Sequence, residues 1–259
     1  MESRSAMIRT LRASIRLPLI MGWVFFMWGM RMTLRPWLKH NERRDRRWKK
    51  WWFQNWARGT CRLMGIRVVV RGELPDEPGY IVCNHLGYTD ICVLTATTGS
   101  VFVAMEDIAG WAGLGTIAKT LYTIFVDRTD KTRAAEVLPA MRHAIEMGDR
   151  VLLFPEGGVS RGLAVDPFKS PLIEPAALLG KPVVHATLHY ETLPGCPPAS
   201  AIVGWWRPEP VGFHFWRLLS YPGVTCTVTL GVLDPAGMDR KQLALALHEA
   251  VAAPFEPHP

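Results

Sequence analysis

The 259-residue sequence predicts an α/β protein, a mixed and largely parallel sheet flanked by helices, behind an N-terminal membrane-embedded or interfacial helical segment. Three observations lead there. Short runs of Val, Ile, Leu and aromatic residues recur between residues 67 and 233, separated by polar, helical or Gly-containing stretches, which is the rhythm of strands buried between helices. The charge is split: residues 1–58 hold 14 Lys and Arg against three acids, whereas residues 59–259 hold 16 against 20, and together they give the net charge of +7. Seven of the 11 tryptophans also precede residue 57. A basic, tryptophan-rich piece suits the headgroups of anionic membrane lipids better than nucleic acid, so no nucleic-acid partner is expected.

Composition excludes several classes. With 49% hydrophobic and 20% charged residues, and 22 Gly and 20 Pro spread along the chain, it is not disordered, collagen-like or a coiled coil. Cysteines 61, 83, 92, 196 and 226 form no CxxC pair. Neither a disulfide framework, a zinc site nor a thioredoxin-like motif is signalled, so no metal is expected and the thiols are expected reduced in a cytosol-facing protein.

Residues 17–30, LPLIMGWVFFMWGM, are 14 uncharged residues bounded by Arg16 and Arg31. As a helix they extend roughly 21 Å, against a hydrocarbon core of about 30 Å. Snorkelling of Arg31 and extension to Leu34 lengthen the segment, yet arginines flank it on both sides. Positive charge on both flanks favours a segment that enters and leaves on the cytoplasmic face of the inner membrane over one that crosses. A cleaved signal peptide is disfavoured, because Gly29-Met30-Arg31-Met32 offers no small-x-small site. In residues 41–65, Trp48, Trp52 and Trp56 recur at i, i+4 and i+8 and share one helical face among Arg and Lys. Two readings fit: an interfacial helix with its rings at headgroup depth, or a stripe packed on the protein's own core. The adjoining apolar run favours the first.

Strands are expected at 67–72, 80–84, 101–104, 123–127, 151–154, 183–190 and 225–233. A helix is expected from about 129 to 147, with Val137, Met141 and Ile145 on one face, Gly148 closing it and Pro139 marking a kink. Residues 240–253 read as a C-terminal amphipathic helix. Residues 191–224, rich in Pro and Trp and without a period, are expected to be loops with one strand at ASAIVGW.

Two motifs carry chemistry. NHLGYTD (84–90) directly follows the strand YIVC, and α/β folds place reactive groups at strand ends. His85 and Asp90 are five residues apart, so a turn brings carboxylate to imidazole, fixes the tautomer and leaves the other ring nitrogen to take a proton. By spacing alone a loop His near a capping Asp fits equally. FPEGGVSRG (154–162) follows another strand and contains G-x-S-x-G around Ser160, the nucleophile elbow of a serine esterase. Against an elbow, Pro155-Glu156-Gly157 intervenes after the strand, and LAVDPFKSP is a poor helix start.

Taken together, HLGYTD, FVDR (125–128) and FPEGGVSRG resemble the ordered NHxxxxD, F-[IV]-D-R and FPEG[TG]xS blocks of the glycerolipid acyltransferase family, which includes bacterial 1-acyl-glycerol-3-phosphate acyltransferases. GKPVVHATLHY sits where that family has a fourth, looser block, and the resemblance covers roughly residues 60–190. It implies an acyltransferase catalytic domain over 59–259 behind membrane-anchoring helices at 1–58. It implies no cofactor beyond acyl-ACP or acyl-CoA as co-substrate, and a lysolipid acceptor. His85 would be the general base for the lysolipid hydroxyl and Asp90 would orient it, while Arg128, Glu156, Gly157 and Gly158 would line the acceptor site. Members acting on lysophosphatidic acid commonly carry Arg where this chain has Val159, so Arg161 or Lys169 is expected to substitute. SRGLAVDPFKSPL is also similar to the branch that acylates lyso-ornithine lipid, an aminolipid without phosphate. The expected acceptor is thus 1-acyl-glycerol-3-phosphate, with lyso-ornithine lipid as the alternative. A serine esterase and a non-enzymatic membrane-surface module are the competing classes.

Overall fold

The computed structural model describes the chain except residues 1, 39, 111–117, 120–121, 127–133 and 258–259. Its centre is a seven-stranded sheet in the order β1-β7-β6-β2-β5-β3-β4. The strands are β1 (Ile66–Arg71), β2 (Tyr80–Cys83), β3 (Val101–Met105), β4 (Ile124–Val126), β5 (Val151–Leu153), β6 (Val183–Thr192) and β7 (Val224–Leu233). Only β6 and β7 pair antiparallel, over ten residues each; every other pair is parallel. The expected α/β class and all seven expected strands are present, with ends shifted by a residue or two.

Two long helices precede the sheet, α1 (Glu2–Leu38) and α2 (Glu42–Met64). Asn41 caps α2 by accepting from the Arg44 N–H, and Gly65 closes it in the left-handed conformation. On α1, Ala13, Ile20 and Met27, seven residues apart, are buried, and they join Trp52, Phe53, Ile81, Cys83 and Leu188 in one apolar core. By helical periodicity the exposed Leu11, Ile15, Leu19, Phe25 and Phe26 lie on the other side of α1. The tryptophan stripe faces inward. Trp52 is buried, and Trp48 and Trp56 pack against the same core. The indole N–H of Trp52 donates to the Met27 carbonyl at 2.6 Å, and that of Trp23 to the Trp56 carbonyl at 3.0 Å. A Cβ on Gly59 would lie 2.4 Å from the Trp23 ring, so the close approach of α1 and α2 depends on that glycine. The inward reading of the stripe therefore holds, because burying the large apolar ring surface against α1 and the core gains more than leaving it at the surface.

Arg31 does not snorkel outward. It is buried and bonds Asp45 with two nitrogens, at 2.5 and 2.8 Å, while the Tyr122 hydroxyl donates to the same carboxylate at 2.7 Å. Asp149 likewise receives Arg46 and Lys49, both from α2.

The remaining helices are α3 (Thr89–Thr98), α4 (Ala134–Glu146), α5 (Ser170–Leu179), α6 (Ala199–Ile202), α7 (Val211–Ser220) and α8 (Arg240–Ala252). The described part of α4 runs through Pro139, and its expected start at 129 lies outside the described residues. One expectation fails. Residues 191–224 contain α6 and α7 in place of a strand and loops, because the prolines stand at helix starts, Pro198 and Pro210 at N-caps, where no N–H is required. Residues 163–169 carry no helix, and α5 begins only at Ser170 with Pro171 in its first turn.

Candidate active site

The parallel register places the site. Val82 of β2 pairs with Leu153 of β5, so three residues further on His85 stands beside Glu156. On the other side Cys83 pairs with Ala186 of β6. The Asn84 side chain extends that ladder, donating to the Leu188 carbonyl at 3.1 Å and accepting from the Leu188 N–H at 2.8 Å. The chain is thereby clamped at the C-terminal end of β2 immediately before His85.

His85 and Asp90 meet as the spacing allowed. His85 Nδ1 lies 2.9 Å from Asp90 Oδ2. That oxygen also accepts from the Leu86 and Gly87 N–H groups at 2.6 and 3.0 Å, and Oδ1 accepts from the Tyr190 hydroxyl at 2.8 Å. Asp90 is wholly buried in the first turn of α3 and accepts four bonds, which keeps it an acceptor toward imidazole. Nδ1 must then carry a proton, so Nε2 is the basic nitrogen of the neutral ring. Nε2 makes no hydrogen bond among the described residues, and the side chain is 19% exposed. Phe154 stacks on the imidazole at 3.9 Å between centroids and 12° between planes, fixing the ring from one face.

Glu156 holds the His85 backbone. Its Oε1 accepts from the His85 N–H at 2.6 Å and its Oε2 from the Asp166 N–H at 2.8 Å. Burial pushes its carboxyl up to about 7, although those two N–H groups pull the other way. Gly157 has a φ of +78°, and the Lys169 side chain covers it so closely that a Cβ would meet Nζ at 2.5 Å. Gly158 is exposed, with open space where a Cβ would stand. Arg161 is exposed and stacks on Trp206. Arg128 lies outside the described residues. Asn84, Phe154 and Tyr190 were missed as site residues; Asn84 and Phe154 are the first residues of the two motifs, while Tyr190 is brought in only by the sheet.

A second wall forms around the turn. The Trp205 N–H donates to the Leu86 carbonyl at 3.0 Å. Tyr88 packs edge-on to Trp205 and His214 and lies 2.7 Å from His214 Nδ1 through its hydroxyl. His214 Nε2 faces the Gly204 carbonyl at 3.1 Å and must donate to it, so Nδ1 accepts from Tyr88. Burial first, and the nearby Arg217, hold the His214 imidazole below its ordinary range and keep it neutral.

The elbow geometry is not met. Ser160 is buried, its Oγ accepts from the Gly162 N–H at 3.3 Å, and no histidine side chain bonds to that hydroxyl among the described residues. No helix begins until Ser170. Nor is there, among the described residues, a group of three or more His, Cys, Asp or Glu placed to hold a metal ion.

A buried Asp, a His whose Nε2 is unbonded among the described residues and a Glu-anchored backbone stand together at adjacent parallel strand ends of an α/β sheet. Residues 65–188 match the family model described as Acyltransferase. The chain belongs to the acyltransferase family and is an acyltransferase. It is 32% identical over 203 residues to the lyso-ornithine lipid O-acyltransferase of Rhodobacter capsulatus, covering 74% of this chain and 72% of that protein. It is 28% identical over 204 residues to the 1-acyl-sn-glycerol-3-phosphate acyltransferase of Neisseria meningitidis, covering 76% and 78%. The crystal structure of the 1-acyl-sn-glycerophosphate (LPA) acyltransferase PlsC from Thermotoga maritima shares the fold, with a TM-score of 0.68 over 97% of this chain and 95% of that one at 18% identity.

Proposed function

We propose that the chain is a membrane-bound O-acyltransferase that moves a fatty acyl group from acyl-ACP or acyl-CoA to a lysolipid hydroxyl. The observation that carries this reading is the His85–Asp90 pair with Nε2 left unbonded. Nε2 takes the proton of the hydroxyl as its oxygen attacks the thioester carbonyl. The tetrahedral adduct expels the thiolate, which recovers the proton from the imidazolium, leaving an ester and a free thiol. Asp90 stabilises the imidazolium between the two transfers.

Of the two acceptors, lyso-ornithine lipid is favoured. Relatives at 28% to 34% identity carry that name, against 28% for those named for 1-acyl-sn-glycerol-3-phosphate. Val159 also stands where a guanidinium would grip a phosphate. Residues 1–58 serve as the membrane seat and residues 59–259 as the catalytic body. The exposed apolar side of α1 enters the cytoplasmic leaflet of the inner membrane without crossing it, while Ala13, Ile20 and Met27 stay on the protein. α1 is also long and apolar enough to cross a membrane, so the side from which its N-terminus is labelled separates the two arrangements.

The test is acyl transfer in membranes, read by mass spectrometry, with labelled acyl-ACP or acyl-CoA and either lysolipid. Product is expected with wild type and with Ser160→Ala, and none with His85→Ala. Release of free fatty acid that depends on Ser160 refutes the proposal.

A further inference from the structure

Every backbone polar group of residues 85 to 87 is bonded. The N–H of His85 goes to Glu156, and those of Leu86 and Gly87 go to Asp90. The His85 carbonyl accepts from the Ser160 N–H at 2.8 Å, the Leu86 carbonyl from the Trp205 N–H at 3.0 Å and the Gly87 carbonyl from the Asp90 N–H at 3.1 Å. Glu156 and Ser160 follow β5, and Asp90 belongs to the turn itself and the helix it opens. Trp205 comes from elsewhere, the loop between α6 and α7. That loop reaches the turn a second time, since a Cβ on Gly87 would meet the Val203 carbonyl at 3.0 Å.

One buried side chain ties that loop to the turn. His214 of α7 is wholly buried, and its two ring nitrogens serve two different segments. Nε2 donates to the carbonyl of Gly204, the residue before Trp205, at 3.1 Å, and Nδ1 accepts from the Tyr88 hydroxyl at 2.7 Å. Tyr88 stands between His85 and Asp90, at the N-cap position of α3, where its side chain caps no helical N–H. Its ring lies edge-on to Trp205 and tilted against Phe215. An apolar residue at 214 would leave both the carbonyl and the hydroxyl without this partner, and asparagine or glutamine reaches only one of the two.

We propose that His214 is a positioning residue for acyl transfer, acting through Tyr88 and the Gly204–Trp205 loop to hold the turn from which the His85 imidazole projects. The inference rests on the reading of His85 as the base for the acceptor hydroxyl. His214 is closed to solvent and does not touch substrate, so its contribution is made through the turn. Asp90 cannot do this work alone. It opens the helix that the turn leads into, so it fixes the imidazole relative to the turn and not relative to a substrate bound outside it. Proton transfer needs the ring held within about 0.5 Å of its productive place. Glu156 and Ser160 hold the turn from the β5 side, and residues 203–214 hold it from the other.

The test is steady-state acyl transfer by full-length variants in membranes, with melting temperatures and NMR spectra of isotope-labelled histidine rings recorded in parallel. Tyr88→Phe removes only the hydroxyl. His214→Gln keeps a donor near the place of Nε2 and no acceptor at that of Nδ1, whereas His214→Asn keeps a carbonyl oxygen near the place of Nδ1. Tyr88→Phe and His214→Gln are each expected to lower kcat about tenfold or more, with KM for lysolipid and thioester within about threefold. The two together are expected to cost no more than either alone, and His214→Asn to recover part of the loss. Ile173→Val, in the core formed with Tyr80, Met141 and Leu243, lowers stability away from the turn and is expected to keep kcat within about twofold. The His85 ring signals are expected to shift in Tyr88→Phe and His214→Gln and not in Ile173→Val. A kcat within about threefold of wild type in Tyr88→Phe overturns the proposal, as do losses that multiply in the double variant. An asparagine no better than glutamine overturns it too, and so do losses that follow melting temperature across all the variants, Ile173→Val included. If wild type transfers no acyl group while the His85 signals still shift in the two turn variants alone, the acyl-transfer reading fails and the positioning of the turn by His214 stands.

Discussion

Asp90→Asn isolates the charge of the site from its shape. Asp90 Oδ2 accepts three bonds, from His85, Leu86 and Gly87, and Oδ1 accepts one from Tyr190. An asparagine can keep its carbonyl oxygen at the Oδ2 position and turn its amide toward the Tyr190 hydroxyl, which accepts as readily as it donates. The opposite orientation sets the amide against two backbone N–H donors and is disfavoured. The His85 tautomer and the turn therefore survive, and only the anion that stabilises the imidazolium is lost. At about 4 Å between charge centres and an effective dielectric of about 20, that attraction amounts to about 4 kcal/mol, or about 10³ in rate. The His85 side chain is 19% exposed, so solvent lowers the expectation toward 10². We expect kcat/KM for acyl transfer to fall by about 10²–10³ while the melting temperature stays within a few degrees. A variant that folds normally and retains activity within tenfold of wild type refutes the claim that Asp90 stabilises a charged His85.

Two further outcomes follow from other parts of the molecule. Burial raises Glu156 to about 7, above its ordinary 4.5, so the native state holds this proton more tightly than the unfolded chain. Its contribution is full below about pH 4.5 and is lost as pH rises through about 7; wild type is expected to melt progressively lower across that window and Glu156→Gln to flatten the slope, whereas equal slopes in thermal melts refute it. On α7, Phe213 and Trp216 stand 73% and 39% exposed, three residues apart on one face next to the α1 contact, and Phe213→Ser with Trp216→Ser is expected to weaken vesicle partitioning roughly tenfold or more in co-sedimentation. Unchanged partitioning assigns membrane contact to α1 alone.

What was legible in the sequence was what periodicity and local chemistry encode. β2 and β5 announce themselves as apolar runs followed by HLGYTD and FPEGG, and a five-residue gap suffices to close His85 on Asp90. Tyr190 was not legible, because only the β2–β6 register brings a residue 100 positions away onto Asp90. The tryptophan stripe was seen, but its direction was not. One helix cannot tell lipid from protein as the apolar phase until its neighbour is known, and here the neighbour is α1. The proline-rich stretch before β7 misled for a different reason: proline is costly in a helix interior but favoured at a helix start, and composition alone does not say which position it occupies.

The compositional boundary at residue 58 is crossed by the packing, and this links the proposed membrane seat to the proposed site. The Arg12 guanidinium donates to the Ser220 carbonyl at 2.7 Å. Arg16 donates to the carbonyls of Leu219, Tyr221 and Pro222 at 3.2, 2.7 and 2.7 Å. Those of Leu219 and Ser220 are carbonyls that the C-terminal end of α7 leaves without helical partners, Tyr221 and Pro222 follow directly, and two cations there also meet the negative end of the helix dipole. One turn and a half earlier on α7, His214 accepts from Tyr88 inside HLGYTD. A continuous path of directed bonds thus runs from α1 through α7 to the turn that carries His85. α1 is accordingly part of what positions the turn, and removing residues 1–58 is expected to expose the α7 carbonyls and the apolar core together, costing the body its shape as well as the proposed membrane seat.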